Sequence, residues 1–205
     1  MIAMRCALLC LLLGGCSSGF FETKAAVATV YVLAPAKLDS SVSPAASLDV
    51  DLAIALPAAA PGLDTERIAA LYEARRLDYY KDAQWGALAA TVTQSLLVTT
   101  LQNQKLFRSV TPEQARVSAT HVLDVQLQDF QAEYVAGKSN PSAHVSMTAS
   151  LIRLKDRKLL ASFPIGAAVD ADANRMNAVI AAFEAAAQQV ALRVGERTAA
   201  TLRGD

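Results

Sequence analysis

Residues 77–110, LDYYKDAQWGALAATVTQSLLVTTLQNQKLFRSV, carry apolar or small side chains at Trp85, Leu88, Ala89, Val92, Leu96, Thr99 and Leu106. Steps of three and four residues bring these onto one face of a helix. Gln84, Thr91, Gln94, Gln102 and Lys105 fall elsewhere, so this helix is expected to lie on a core with its far side wet. Helices of this length are held by burial of such a face rather than by propensity. The surrounding chain must therefore supply a cover, and a sheet is the expected one. The segment opens on Leu77-Asp78-Tyr79-Tyr80, passes an expected charged turn at Lys81 and Asp82, and has no His, no Cys and no carboxylate after Asp82.

Period-two runs supply the strands. Residues 27–33, VATVYVL, read as a strand ended by Pro35, and residues 37–46 as a loop rich in Ser, Pro and Ala. Leu48, Val50, Leu52, Ile54 and Leu56 then alternate with Ser47, Asp49, Asp51, Ala53 and Ala55, a half-buried strand closed by Pro57. Residues 63–80 are ambiguous by local pattern. Ala69, Ala70, Leu71, Glu73 and Ala74 favour a helix on propensity, and a hairpin around Ala74-Arg75 competes with it but has no Gly or Asn at its turn.

The second half repeats strands followed by a helix. Residues 106–110 form a short strand that turns away at Thr111-Pro112-Glu113. In residues 119–134 the inward set is Leu123, Val125 and Leu127, after which the phase moves to Phe130, Ala132 and Tyr134. A one-residue slip inverts every side chain, so a bulge is expected near Gln128-Asp129. After a turn at 137–141, strands at 144–154 and 158–169 meet at the polar Lys155-Asp156-Arg157 turn. A long helix follows the N-cap candidates of 170–174, with a stripe of Met176, Val179, Ile180, Phe183, Ala187, Val190, Ala191 and Val194. Ala181, Ala182, Ala185 and Ala186 would let it pack closely on the first helix. The expected class is α+β: a mainly antiparallel sheet with two long amphipathic helices packed on one face.

The amino terminus has a different character. Met1 to Cys16 reads MIAMRCALLCLLLGGC: a lone Arg5, an apolar run from Cys6 to Leu13, then Gly14, Gly15 and Cys16. The run is far shorter than the roughly 20 residues that span a bilayer, so it reads as the core of an export signal. Leu13-Gly14-Gly15-Cys16 looks like a bacterial lipobox, in which the Cys thiol is diacylglyceryl-modified, the chain is cut before it, and the new amino group is usually acylated. This divides the chain into a lipoprotein signal peptide at 1–15, a lipidated Cys16 and tether at 16–26, and one α+β domain at 27–205. Two or three acyl chains give stable attachment, whereas one binds only marginally. By the same resemblance, Ser17 in place of the Asp that favours inner-membrane retention points to the outer membrane. Cys6 and Cys10 leave with the signal, so the mature domain has no cysteine for a disulfide, a thiolate metal site or a nucleophile. Lys plus Arg equals Asp plus Glu, 19 each, which offers nucleic acid no basic field.

Little in the sequence supports catalysis. Asp49 and Asp51 share the outward face of their strand, an arrangement far commoner on a wet surface than in an acid/base pair. His121 and His144 fall on strands paired around a turn near Lys138, with His121 about eleven residues along from the position opposite His144. At about 3.3 Å per residue they lie roughly 35 Å apart and cannot share a metal. No Ser stands in a GxSxG elbow, and no Gly-rich phosphate loop is present. No cofactor is expected. Trp85 is expected mainly as packing under the helix and secondarily as an interface residue. Tyr79 and Tyr80 should divide into one inward and one outward ring, the outward one a candidate interface anchor.

Leu56-Pro57, Leu63-Asp64 with Arg67-Ile68, Leu77-Asp78-Tyr79-Tyr80, and Gln84-Trp85 before an amphipathic helix follow a strand containing Tyr31-Val32-Leu33. This spacing resembles the ABC-type transport auxiliary lipoproteins, the lipoprotein partners of MCE-type intermembrane lipid transporters. The resemblance spans nearly all of the mature chain and implies paired strands across 68–80. It further implies a non-catalytic accessory protein held to the membrane through acylated Cys16, with an MCE-domain protein and ABC transporter subunits as partners and self-association as a further expectation. A stand-alone lipid-binding or envelope-assembly lipoprotein is the alternative, and a lipid-anchored hydrolase a third reading. A deep apolar cavity would favour the second, and a His bonded to a Ser and an acid the third.

Overall fold

A computed structural model describes residues 28–37 and 47–204. The expected signal peptide, Cys16 and the expected tether lie outside these residues, as does most of the loop expected at 37–46.

The sheet is organised on β7 (His121–Tyr134). One edge of β7 pairs antiparallel along its whole length with β8 (Ser142–Arg153), which pairs antiparallel with β9 (Lys158–Asp170). The other edge takes three short strands in succession, all parallel to it: β2 (Leu48–Ile54), β3 (Ala58–Ala59) and β4 (Arg67–Tyr72). Outside β2 lies β6 (Phe107–Pro112), again parallel. Outside β4 lies β5 (Arg76–Trp85), antiparallel, and then β1 (Thr29–Tyr31), parallel to β5. The class is α+β, as expected. The long ladders are antiparallel, yet five of the eight strand pairings among the described residues are parallel, so the sheet is mixed.

Several expected features appear where the local pattern placed them. The phase change in β7 is a bulge, with the register shifting between Leu127 and Asp129. Residues 68–80 form the hairpin rather than a helix. Its turn places Glu73 and Ala74 at φ 52° and 56°, and Arg75 N–H donates to the Tyr72 carbonyl at 3.1 Å. Two consecutive positive φ values are the signature of a type I′ turn, whose twist matches that of the strands it joins. Pro164 sits inside β9, and β9 is an edge strand, where a missing N–H is tolerated.

Helix α1 (Ala89–Gln104) and helix α2 (Met176–Gly204) pack together on one face of this sheet. The buried side of α2 follows its expected stripe from Val179 to Val194 and includes Ala182 and Ala186, whereas Ala181 is exposed. At Gly195 the side chain of Gln104 from α1 lies directly on the α2 backbone. A Cβ there would fall 1.8 Å from Gln104 Oε1, and Gln104 Nε2 donates to the Leu192 carbonyl at 3.0 Å.

Around α1 the expectations need correction. Lys81 and Asp82 make no turn. They lie inside β5, where Asp82 takes φ 56° and the register to β4 slips between the Arg67–Gln84 and Ala69–Tyr79 pairs, a bulge. Trp85 is the last residue of β5 rather than part of the helix. The buried face of α1 is Ala89, Ala90, Thr93, Gln94, Leu96, Leu97, Thr100 and Leu101. Leu88 is 43% exposed, while Val92, Thr99 and Leu106 are half-buried. Small residues face inward because α1 must fit against both α2 and the sheet, and counting large apolar side chains misses them. Gln94, expected to be wet, is buried and satisfied: Nε2 donates to the Ile54 carbonyl at 2.9 Å and to Gln114 Oε1 at 2.8 Å. The strand at 48–56 stops at Ile54, leaving Leu56 48% exposed.

Candidate functional site

The aromatic residues of β4, β5 and β7 separate into three environments. Trp85 is buried, its ring centroid 5.2 Å from both Phe130 and Phe183. It ties β5 to β7 and α2, and at 1% exposure it has no surface to offer a partner. Its role as an interface residue is therefore replaced by one in the core, although in contact with sheet and α2 from the end of a strand.

Tyr80 points the same way but sits at the rim. Its hydroxyl lies 2.9 Å from that of Tyr134, which donates to Asn174 Oδ1 at 3.0 Å, so Tyr80 is the donor of the pair. Tyr134 stacks on Tyr72 with centroids 4.6 Å apart, and the Arg76 guanidinium lies 4.7 Å above the Tyr72 ring. Burial, then the hydrogen bond to Tyr134, pushes the Tyr80 phenol well above its ordinary pKa. A phenol held neutral in this way is a structural donor, not a base.

Tyr79 faces away from the helices, on the side of Arg67. Its hydroxyl donates to the Gly62 carbonyl at 2.9 Å, and the Arg67 guanidinium lies 3.9 Å above its ring. Gly62 takes φ 85°, a left-handed conformation that strains any residue with a Cβ. Of the two tyrosines, Tyr79 is thus the outward one.

The polar groups are engaged with one another. Arg108 on β6 bridges Asp49 and Asp51 on β2, and Ser109 Oγ donates to Asp51 at 2.6 Å. The hydrogen bonds from Arg108 and Ser109 hold the Asp51 carboxyl down at about 2. The outward pair of acids is a salt-bridged strand surface. His144 lies opposite Gln131, ten residues along β7 from His121. Its Nε2 is 3.5 Å from Glu133 Oε2, while the neighbouring Ser142 and Ser146 hydroxyls donate to Asp170 and Asp129. Thr120, not a Ser, meets His121 Nδ1 at 2.9 Å. Among the described residues no group of three or more His, Cys, Asp or Glu could hold a metal ion, and no helix is long and apolar enough to cross a membrane.

One feature with binding character was not anticipated. Beyond β1 the chain runs over the helices, pinned where Glu184 Oε2 accepts from Ala34 N–H at 2.8 Å and Gln188 Nε2 donates to the Ala34 carbonyl at 2.9 Å. Between this segment and α1 lies an open groove of about 290 Å³, walled by Val32, Leu33, Val92 and Leu96. Val32 is 74% exposed and Val30 55%. The alternation of residues 27–33 marks a strand, but only the crossing of 32–36 over the helices turns one side of it into a wall.

The family model for the ABC-type transport auxiliary lipoprotein component matches residues 31–195. The crystal structure of protein XCC0632 from Xanthomonas campestris is similar at 25% identity and TM-score 0.78, covering 87% of this chain and 98% of that one. The crystal structure of an uncharacterized protein superposes at TM-score 0.66 with 13% identity, covering 84% and 99%. The hypothetical protein CT253 from Chlamydia trachomatis does so at TM-score 0.52 with 9% identity, covering 77% and 100%, a likeness of fold alone. No curated protein matches the sequence significantly. With its matched span running from the end of β1 into the second half of α2, the chain belongs to the ABC-type transport auxiliary lipoprotein component family.

Proposed function

We propose that this protein is a non-catalytic, membrane-anchored accessory lipoprotein of an ABC-type, MCE-associated intermembrane lipid transport system. The observation that carries the reading is the family match over residues 31–195. Acylated Cys16 holds the protein to the periplasmic face of the envelope, at the outer membrane as Ser17 suggests, and 16–26 tether the domain of 27–205. The work is adhesive: an MCE-domain protein and the ABC transporter subunits are the partners, with the half-buried Tyr79 and the Arg67 guanidinium over its ring as the outward aromatic contact offered to them. The engagement of Ser142 and Ser146 with acids, and of Asp49 and Asp51 with Arg108, supports the absence of catalysis.

Crosslinking at native expression, followed by affinity purification, tests this. An MCE-domain protein and an ABC ATPase subunit are expected in the eluate, and recovery of the lipoprotein alone would overturn the assignment. A second reading, a stand-alone lipid-binding lipoprotein, is favoured by the apolar groove beside Val32. It requires the purified protein to extract lipid from vesicles without partners.

A further inference from the structure

Among the described residues, the groove between the post-β1 segment and α1 is lined by no charged side chain. Val30, Val32 and Leu88 are exposed around β1 and the start of α1, at 55%, 74% and 43%. Gly86 lines the groove beside them: a Cβ there would make ordinary contact with Val32 Cγ1 at 3.4 Å and Val30 Cγ1 at 3.6 Å, so a larger side chain would extend into the groove. About 290 Å³ is just under the usual range of small-molecule sites, about 300 to 1,000 Å³. That is room for a slender apolar chain rather than a whole lipid.

The position of the groove in the chain indicates which apolar chain. Its first wall residue, Val32, stands four residues after Ala28, where the described structure begins, and Cys16 lies twelve residues before Ala28. At no more than about 3.6 Å per residue, twelve residues reach about 40 Å, so a group on Cys16 can return to the groove. A group on so short a tether is held at an effective concentration on the order of millimolar, far above that of a free competitor in water.

We infer that the groove sheathes the end of one acyl chain carried by Cys16 of the same molecule, an inference that rests on the lipidation proposed above. Sheathing one chain of a triacylated cysteine leaves two in the bilayer, enough for stable anchoring. It also seats the β1 edge of the domain at the root of its own tether, which fixes the orientation of the protein on the membrane.

The test uses 11-(dansylamino)undecanoic acid, a fatty acid whose emission shifts to the blue on burial. It is titrated into the natively processed protein and into the mature chain carrying Cys16→Ser, exported from an ordinary cleavable signal. The unacylated form is expected to bind the probe, and the acylated form at least tenfold more weakly because its groove is filled. Gly86→Leu, which fills the floor, and Val32→Asp, a change at an exposed position that leaves folding intact, should each lower binding by the unacylated form at least tenfold. Failure of the unacylated form to bind overturns the inference. Equal binding by both forms also overturns it, since the groove would then be open to lipids from elsewhere. The amino-terminal mass is measured on the same protein. An unmodified Cys16 sinks the lipoprotein reading, whereas an acylated protein that still takes the probe sinks only the sheathing.

Discussion

The two edges of β7 are built by different means. On one side a single strand, β8, pairs with it from His121–Arg153 to Glu133–Ser142, and β9 extends the ladder through a short turn. On the other, three strands separated by loops each take a few residues of the edge, all parallel, and only the β4–β5 hairpin continues outward by a local turn. The first edge is closed by contacts between sequence neighbours. The second is assembled from segments far from β7 in sequence, such as Leu52 paired with His121 and Ala69 with Gln131, and it includes the bulge at Asp82 and the positive-φ pair at Glu73 and Ala74. Loop closure over longer separations costs more entropy, so the second edge depends more on what it buries.

Trp85 is the sharpest place to break that dependence, since it fastens the second edge to Phe130 of β7 and Phe183 of α2. Trp85→Ala is expected to cost about 3 to 5 kcal/mol in urea unfolding. A variant that unfolds like the wild type would show that the second edge does not need its anchor. Tyr134→Phe comes next. It removes the acceptor of Tyr80 and the donor to Asn174, for a loss of about 1 kcal/mol in the same measurement. The replacement keeps the stacking on Tyr72, so a much larger loss would mean that the hydroxyl organises the rim beyond its two bonds.

Ala74→Gly works in the opposite direction. A left-handed conformation is unfavourable for an L residue other than Gly, so relieving it should stabilise the hairpin by up to about 1 kcal/mol. No gain, or a loss, in thermal unfolding would argue against the I′ turn. The smallest effect concerns the exposed bridge between β2 and β6. Asp51 titrates at about 2 in the folded protein against an ordinary 3.8. A lowered carboxylate pKa adds stability above the unfolded value that disappears as pH falls through the folded one. The stability difference between wild type and Asp51→Asn should thus be constant above about pH 4 and shrink from there to about pH 2. A difference that persists at pH 2 would point to packing rather than charge.

The same contrast explains what could be read in advance. The β7 bulge was legible because inward residues change phase from Leu127 to Phe130, and the strands at 144–154 and 158–169 because a polar turn separates two apolar runs. The α2 stripe was legible because its large residues fall at helical spacing from Val179 to Val194. On the other edge, local pattern left residues 63–80 undecided between helix and hairpin, and the family resemblance settled it. The spacing of Trp85 to Leu88 and Ala89 suits a helix, yet pairing with Tyr31 of β1 and donation of its N–H to the Glu66 carbonyl at 2.7 Å hold it in a strand. Of the site residues, the division of Tyr79 and Tyr80 between two faces follows from strand alternation. The groove at Val32 could not be foreseen, since both of its walls come from segments with no sequence relation.

By itself the sequence determined the α+β class, the order of the long strands and terminal helix, and the position of the β7 bulge, because periodicity records which side of a local element is wet. The tertiary structure alone decided that the second edge of β7 is parallel, that Ala, Thr and Gln rather than Leu88 and Val92 face inward on α1, and that Trp85 ends a strand. Those choices depend on the space left between two helices and a sheet, and that space exists only once distant segments have closed on one another.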